Sequence, residues 1–126
     1  MEDKQPTRGN GKICYLEIPA TDLEYSASFY SQSFGWNIRE DASGAVAFDD
    51  GVGEVSGMWV LDKKPMREAG IIISIMVDDA EATKKLIIDN GGAIVFNMKM
   101  DSGEFIAHFT DPAGNIMGIY QESKKS

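Results

Sequence analysis

The β-prone run Ile13-Cys-Tyr-Leu-Glu-Ile18 leads into Thr21-Asp-Leu-Glu24, after which Leu23, Ala27, Tyr30 and Phe34 recur at helical spacing up to Gly35. This predicts a strand and then a helix, with Thr21 as cap, Glu24 reaching back to it, and Gly35 as the stop. The plan then recurs. Ile71-Ile-Ile-Ser-Ile-Met-Val77 reads as a strand, Asp78 as a cap with Glu81 three residues on, and a helix carrying Leu86 and Ile87 ends at Gly91-Gly92.

Short β-prone runs follow each helix. In the first half they are 37–39, 45–48 and 54–61, separated by Ser43-Gly44 and Asp49-Asp-Gly51. In the second they are 93–98, 104–109 and 115–121, separated by Asp101-Ser-Gly103 and the turn Asp111-Pro-Ala-Gly114. Each half therefore reads βαβββ, and Gly57-Met58-Trp59 aligns with Gly118-Ile119-Tyr120. The expected organisation is a flexible arm (1–12), one domain made of units 13–61 and 70–121 joined by a hinge loop at 61–69, and a tail (122–126). Two such units can curl their sheets around a shared cleft, with helices outside.

Charge and composition narrow the chemistry. The chain carries 12 Lys and Arg against 20 Asp and Glu, a net charge of −8, which disfavours nucleic acid and anionic membrane surfaces and leaves small molecules or proteins as partners. One Cys and one His among 126 residues cannot form a disulfide or a Cys/His zinc site within a chain. Residues 1–12 are polar, and the apolar stretch 70–77 is interrupted by Ser74 and too short to span a bilayer, so a cytoplasmic location is expected.

The order Glu17-Ile-Pro-Ala-Thr-Asp-Leu-Glu24, Phe29-Tyr30, Phe34-Gly35-Trp36, Phe109-Thr-Asp-Pro-Ala-Gly-Asn115 and Gly118-Ile-Tyr-Gln121 resembles the vicinal oxygen chelate superfamily, which holds glyoxalase I, bleomycin-resistance proteins and extradiol dioxygenases. The resemblance covers nearly all of 13–121. It implies an α+β fold of two βαβββ repeats forming a curled mixed sheet, and commonly a homodimer in which units can be exchanged. In metal-dependent members four ligands, His or Gln and Glu, come from the first and last strands of the two halves. Those positions fall here at about Tyr15, Gly57, Ile72 and Gly118, and the neighbours Cys14, Met58, Ile71 and Met117 do not restore the set. No cofactor is therefore expected. A residual divalent site on Glu17 and His108 would fall short of the three protein ligands usual in catalytic zinc sites.

Strand alternation from those positions puts Tyr15, Glu17, Val55, Trp59, Ser74, Met76, Ile116 and Tyr120 on the cleft face, and Cys14, Leu16, Ile18, Ile73, Ile75 and Ile119 under the helices. The expected ligand contacts are Tyr15, Glu17, Trp59, Ile72, Ser74, Met76, Gly118 and Tyr120. Apolar walls with a few polar groups suit a small-molecule pocket, and equally the aromatics could fill a closed core. Glu17 is the candidate catalytic base if its surroundings are apolar, or a solvated rim carboxylate if they are not. His108 is placed away from the ligand positions, and Cys14 is expected to be a small buried hydrophobe.

The function that follows is metal-free binding of a small organic molecule in the cleft between the units. The alternative is a metal-dependent or acid/base lyase or isomerase related to glyoxalase I. Glyoxalase I activity itself is disfavoured by the missing ligands and by only three Arg residues, Arg8, Arg39 and Arg67, to clamp carboxylates.

Overall fold

The computed structural model of the chain describes residues 5–68 and 70–123; the rest of the expected arm, hinge loop and tail lie outside the described residues. The elements run β1 (Tyr15–Pro19), α1 (Leu23–Phe34), β2 (Asn37–Glu40), β3 (Val46–Asp49), β4 (Ser56–Val60), β5 (Ser74–Met76), α2 (Ala80–Asp89), β6 (Ala93–Lys99), β7 (Phe105–Thr110) and β8 (Ile116–Gln121). They form two four-stranded sheets, ordered β1-β4-β3-β2 and β5-β8-β7-β6. In each, the first strand of the unit lies parallel to the last and the other pairs are antiparallel. The βαβββ repeat is thus realised twice.

Both helix caps fall one residue beyond the sequence reading. Asp22, not Thr21, accepts the Tyr25 N–H at 3.0 Å, and Asp79, not Asp78, accepts the Ala82 N–H at 3.1 Å. At both sites a carboxylate stood next to the expected cap, and an aspartate is at least as good a cap as threonine. Glu24 and Glu81 then sit in the first turns, where their charge favours the helix dipole. β5 is shorter than the expected 71–77, because only Ser74 to Met76 pair with β8 before the chain turns to the Asp79 cap. Of the arm, Thr7 and Lys12 are tied to Glu54: the Thr7 N–H donates to its carboxylate at 3.2 Å and the Lys12 ammonium to its carbonyl at 2.5 Å.

The core is a run of stacked rings on the helix side of the first sheet. Tyr30 stacks on Trp36 (4.7 Å between centroids), Trp36 on Phe48 (4.4 Å), and Phe48 leans on Trp59 (4.8 Å). Trp59 is here a correction. β1 pairs Leu16 with Gly57 and Ile18 with Trp59, so Trp59 shares the helix-covered face with Leu16 and Ile18 and is only 1% exposed. Gly57 lies on that face too: a Cβ there would stand 2.3 Å from the Leu16 carbonyl oxygen and 2.5 Å from Phe48 Cζ. The alternation was one residue out on β4, and its open face carries Ser56 and Met58. Cys14 is a second correction: it precedes the first residue of β1 and is exposed.

α1 also joins the two units, since Phe29 meets Phe109 of β7 at 5.9 Å. A buried polar knot reinforces that joint. Asp111 accepts the N–H groups of Ala113, Gly114 and Asn115 on one oxygen, and the Tyr30 hydroxyl (2.8 Å) and the Asn115 amide (2.9 Å) on the other. Asn115 further donates to the Pro19 carbonyl at 2.7 Å and accepts from the Met66 N–H at 2.6 Å. The turn 111–114 thereby ties β1, α1 and the loop between the units together. Burial, and then the Asp111 charge, raise the Tyr30 hydroxyl well above its ordinary pKa.

Candidate functional site

Residues opposite each other in a ladder share a face, so the pairings define the side of each sheet away from the helices. On the second sheet one row runs Phe96, His108, Gly118, Ser74 and the next Met98, Ile106, Tyr120, Met76. Gly118 is the centre. A Cβ on it would come within 2.6 Å of Ser74 Oγ, 3.0 Å of Ile72 Cγ2 and 3.4 Å of His108 Cδ2. Its missing side chain lets a hydroxyl, an alkyl group and an imidazole converge over the strand, with Phe96 against the His108 ring at 5.0 Å. Five of the expected contacts, Ile72, Ser74, Met76, Gly118 and Tyr120, therefore share this face.

His108 is a correction, because it stands beside Gly118 and Ile72 and not away from them. Counting outward from the 111–114 turn, which pairs Thr110 with Ile116, places His108 opposite Gly118, so the signal was present in the hairpin. Phe96 had no such signal, since the ladder from β6 shifts register between Ile94 and Phe96. The Tyr120 hydroxyl donates to Glu104, which raises the phenol and, together with the Ser102 hydroxyl, lowers the carboxyl. Tyr120 thus offers its ring, with its hydroxyl engaged.

Tyr15 and Glu17 lie on the corresponding face of the first sheet, in rows with Ser56 and Asp49 and with Met58 and Ala47. Both are exposed. Asp49 is held low by the Ser56 hydroxyl at 2.7 Å and by a forked contact from Arg39 at 3.0 Å. Among the described residues no strand of one sheet pairs with the other, so within one chain the two open faces remain separate. They are also unusually apolar for water-facing surfaces: Tyr15 is 49%, Phe96 41%, Met98 43% and Met76 65% exposed.

A different space lies between the units. It is a cleft of about 640 Å³ bordered by β1, the end of α1, the β3–β4 turn, β5 and the start of α2. β5 is its shared wall with the open face, so Ser74 and Met76 border both.

Residues 12–119 match the family model of the glyoxalase/bleomycin resistance protein/dioxygenase superfamily. The chain belongs to that superfamily. A glyoxylase-like domain-containing protein of Didymella fabae is 33% identical over 97 residues, covering 66% of this chain and 70% of that one. Among solved structures, a member of the same superfamily from Sphaerobacter thermophilus superposes with a TM-score of 0.71 at 20% identity, covering 89% of this chain and 98% of that one. A family enzyme from Burkholderia phytofirmans gives 0.69 at 18% identity over 85% and 95% of the two chains. The fold is the α+β vicinal oxygen chelate fold.

Whether this glyoxalase-superfamily chain suits a metal is decided by its donors. At the four positions that the resemblance assigns to metal ligands stand Tyr15, Gly57 (with Met58 taking the open face of β4), Ile72 and Gly118, with no carboxylate or imidazole among them. A carboxylate at position 118 would have to displace the Ser74 hydroxyl. Among the described residues no three His, Cys, Asp or Glu side chains come together as a ligand set. Within one chain, the residues at those four positions do not supply the donors of the superfamily's divalent ion.

Proposed function

We propose that this protein binds a small organic molecule, without a metal, in a cup formed by the open faces of its two kinds of sheet and closed by a second copy of the chain. The carrying observation is the convergence of Ser74, Ile72 and His108 over Gly118, with Phe96 and Tyr120 beside them. A hydroxyl and an imidazole set among apolar walls can orient one guest by hydrogen bonds while burial supplies affinity. Glu17 and Tyr15 of the first sheet would face it from across the cup.

Two features support a homodimer. Among the described residues β1 pairs only with β4 and β5 only with β8, so each presents a free edge able to receive a strand of another chain. The exposed Tyr15, Met76, Phe96 and Met98 lie on the faces that such an association would cover. Among the described residues no helix is long and apolar enough to cross a membrane.

The test is sedimentation of the purified chain with elemental analysis, followed by a thermal-shift screen of small organic compounds with and without chelator. The expected result is a dimer that carries no stoichiometric metal, with hits indifferent to chelator and weakened by Ser74→Ala and His108→Ala. Stoichiometric metal that raises Tm would overturn the metal-free reading, and a monomer binding at full strength would overturn the shared cup. Turnover of a hit abolished by Glu17→Gln would convert the binder into an acid/base enzyme.

A further inference from the structure

The floor of the cup on the second sheet belongs to a single chain, and its side chains restrict what can lie on it. Its two rows hold rings, alkyl groups and thioethers, and no Lys, Arg, Asp or Glu stands in either. Phe96, Met98 and Met76 are exposed there. The Phe96 and His108 rings, with centroids 5.0 Å apart and planes tilted by 35°, make one aromatic surface. Glu104 reaches this face, but its carboxylate is taken by the Tyr120 and Ser102 hydroxyls, which leaves the Tyr120 ring to the guest. An ionised guest on such a floor would give up its water without meeting an opposite charge, whereas a flat uncharged ring stacks on the rings and thioethers at little polar cost.

Two polar groups interrupt the apolar floor, and they meet at one spot. The point that a Cβ of residue 118 would occupy lies 2.6 Å from Ser74 Oγ and 3.4 Å from His108 Cδ2, the ring carbon bonded to Nε2. Among the described residues neither side chain makes a hydrogen bond within the chain. Ser74 is exposed and His108 half-buried, so both can be reached from the cup. A hydroxyl both donates and accepts, and a neutral imidazole carries one nitrogen of each kind. A guest that satisfies only one of the two leaves the other desolvated and unpaired; an edge with a donor and an acceptor on adjacent atoms serves both.

For the metal-free cup proposed above, on which this step rests, we infer the class of guest: an uncharged planar aromatic molecule with an N–H donor and a carbonyl acceptor side by side on one edge, as in a ring lactam or imide. The lactam edge meets Ser74 and His108, and the rest of the ring lies on Phe96, Tyr120 and the thioethers of Met76 and Met98. Carboxylates are excluded twice, because Glu17 faces the guest from the other sheet.

The test titrates the isotopically labelled full chain, at neutral pH, with 2-quinolinone, its N-methyl derivative, 2-quinolinecarboxylate, 2-quinolinylmethylammonium and the non-aromatic lactam caprolactam, and follows backbone amide resonances. Quinolinone is expected to shift Phe96, His108 and Gly118. Removing its donor by N-methylation, with the protein unchanged, should weaken binding about tenfold. The two charged quinolines and caprolactam, which has no face to stack, should each be weaker by about tenfold or more. Ser74→Ala and His108→Ala should each weaken quinolinone about fivefold and narrow the gap between it and the N-methyl compound, whereas a variant that merely loosened the sheet would weaken both alike. Equal or tighter binding of any of the other four compounds at these same residues overturns the guest class and leaves the cup standing. If quinolinone shifts none of them the class falls, and the compound screen then decides the cup, which stands if another hit shifts this face and falls if none does.

Discussion

The two units share one plan and differ at one strand. In the first, Gly57 turns toward the helix and gives Phe48 room to lie flat across β4; in the second, Gly118 turns away from the helix and gives Ser74, Ile72 and His108 room to meet. The same residue type therefore makes a core in one half and a site floor in the other. The sequence alignment of Gly57-Met58-Trp59 with Gly118-Ile119-Tyr120 conceals this. By face and pairing, Met58 opposite Glu17 is the counterpart of Gly118 opposite Ser74, and Trp59 the counterpart of Ile119.

The largest expected effect follows from that shift. Trp59→Ala removes the ring that meets both Tyr30 and Phe48 and should destabilise the chain by about 4 kcal/mol. Tyr120→Ala, its partner by sequence alignment, removes a half-buried ring on the open face and should cost about 1 kcal/mol or less. Urea unfolding measures both, and equal losses would mean that the two tryptophan and tyrosine positions do share a face. The glycines sharpen the contrast. Gly57→Ala drives a methyl into the Leu16 carbonyl, which is backbone and cannot swing aside, for a cost of about 3 kcal/mol; Gly118→Ala meets the mobile Ser74 hydroxyl first and should cost about 1 kcal/mol while reducing ligand binding in the cup.

A smaller effect tests how the halves communicate. Tyr30 of the first unit donates to Asp111 of the second inside the core, and its pKa is raised by burial and by the Asp111 charge. A tyrosine unfolded titrates near pH 10, so the stability tied to the neutral phenol is complete below that pH and is lost as pH rises beyond it toward the higher folded value. Tyr30→Phe should cost about 1 kcal/mol at neutral pH and should flatten the fall in Tm above pH ~10. An unchanged alkaline slope in the variant would show that the phenol does not hold the joint.

Most of the architecture was legible because it depends on local chemistry: β-prone runs, turn residues and the helical spacing of Leu23, Ala27, Tyr30 and Phe34 suffice for two βαβββ units. The faces were less legible. A strand's side-chain alternation is plain in sequence, but its phase is fixed by pairing with a neighbour, and a one-residue slip carries Trp59 from the cup to the core. The knot at Asp111 was legible only as a turn, since its reach to Tyr30 and Pro19 spans most of the chain. The cleft behind β5 had no signature at all, because it is set by how the two units are spaced.

The smallest effect concerns the open face itself. The Tyr120 hydroxyl donates to Glu104, lowering the carboxyl and raising the phenol. A lowered carboxyl lends stability that is present above its ordinary titration and lost as pH falls through the lowered value; a raised phenol lends stability that is present below its ordinary titration and lost as pH rises. The difference in Tm between the parent chain and Tyr120→Phe should therefore form a plateau from about pH 5 to 10 and shrink at both ends. A pH-independent difference for Tyr120→Phe would mean that its hydroxyl is free to meet a ligand, which would restore to the second sheet the hydrogen-bonding role that the contact with Glu104 takes from it.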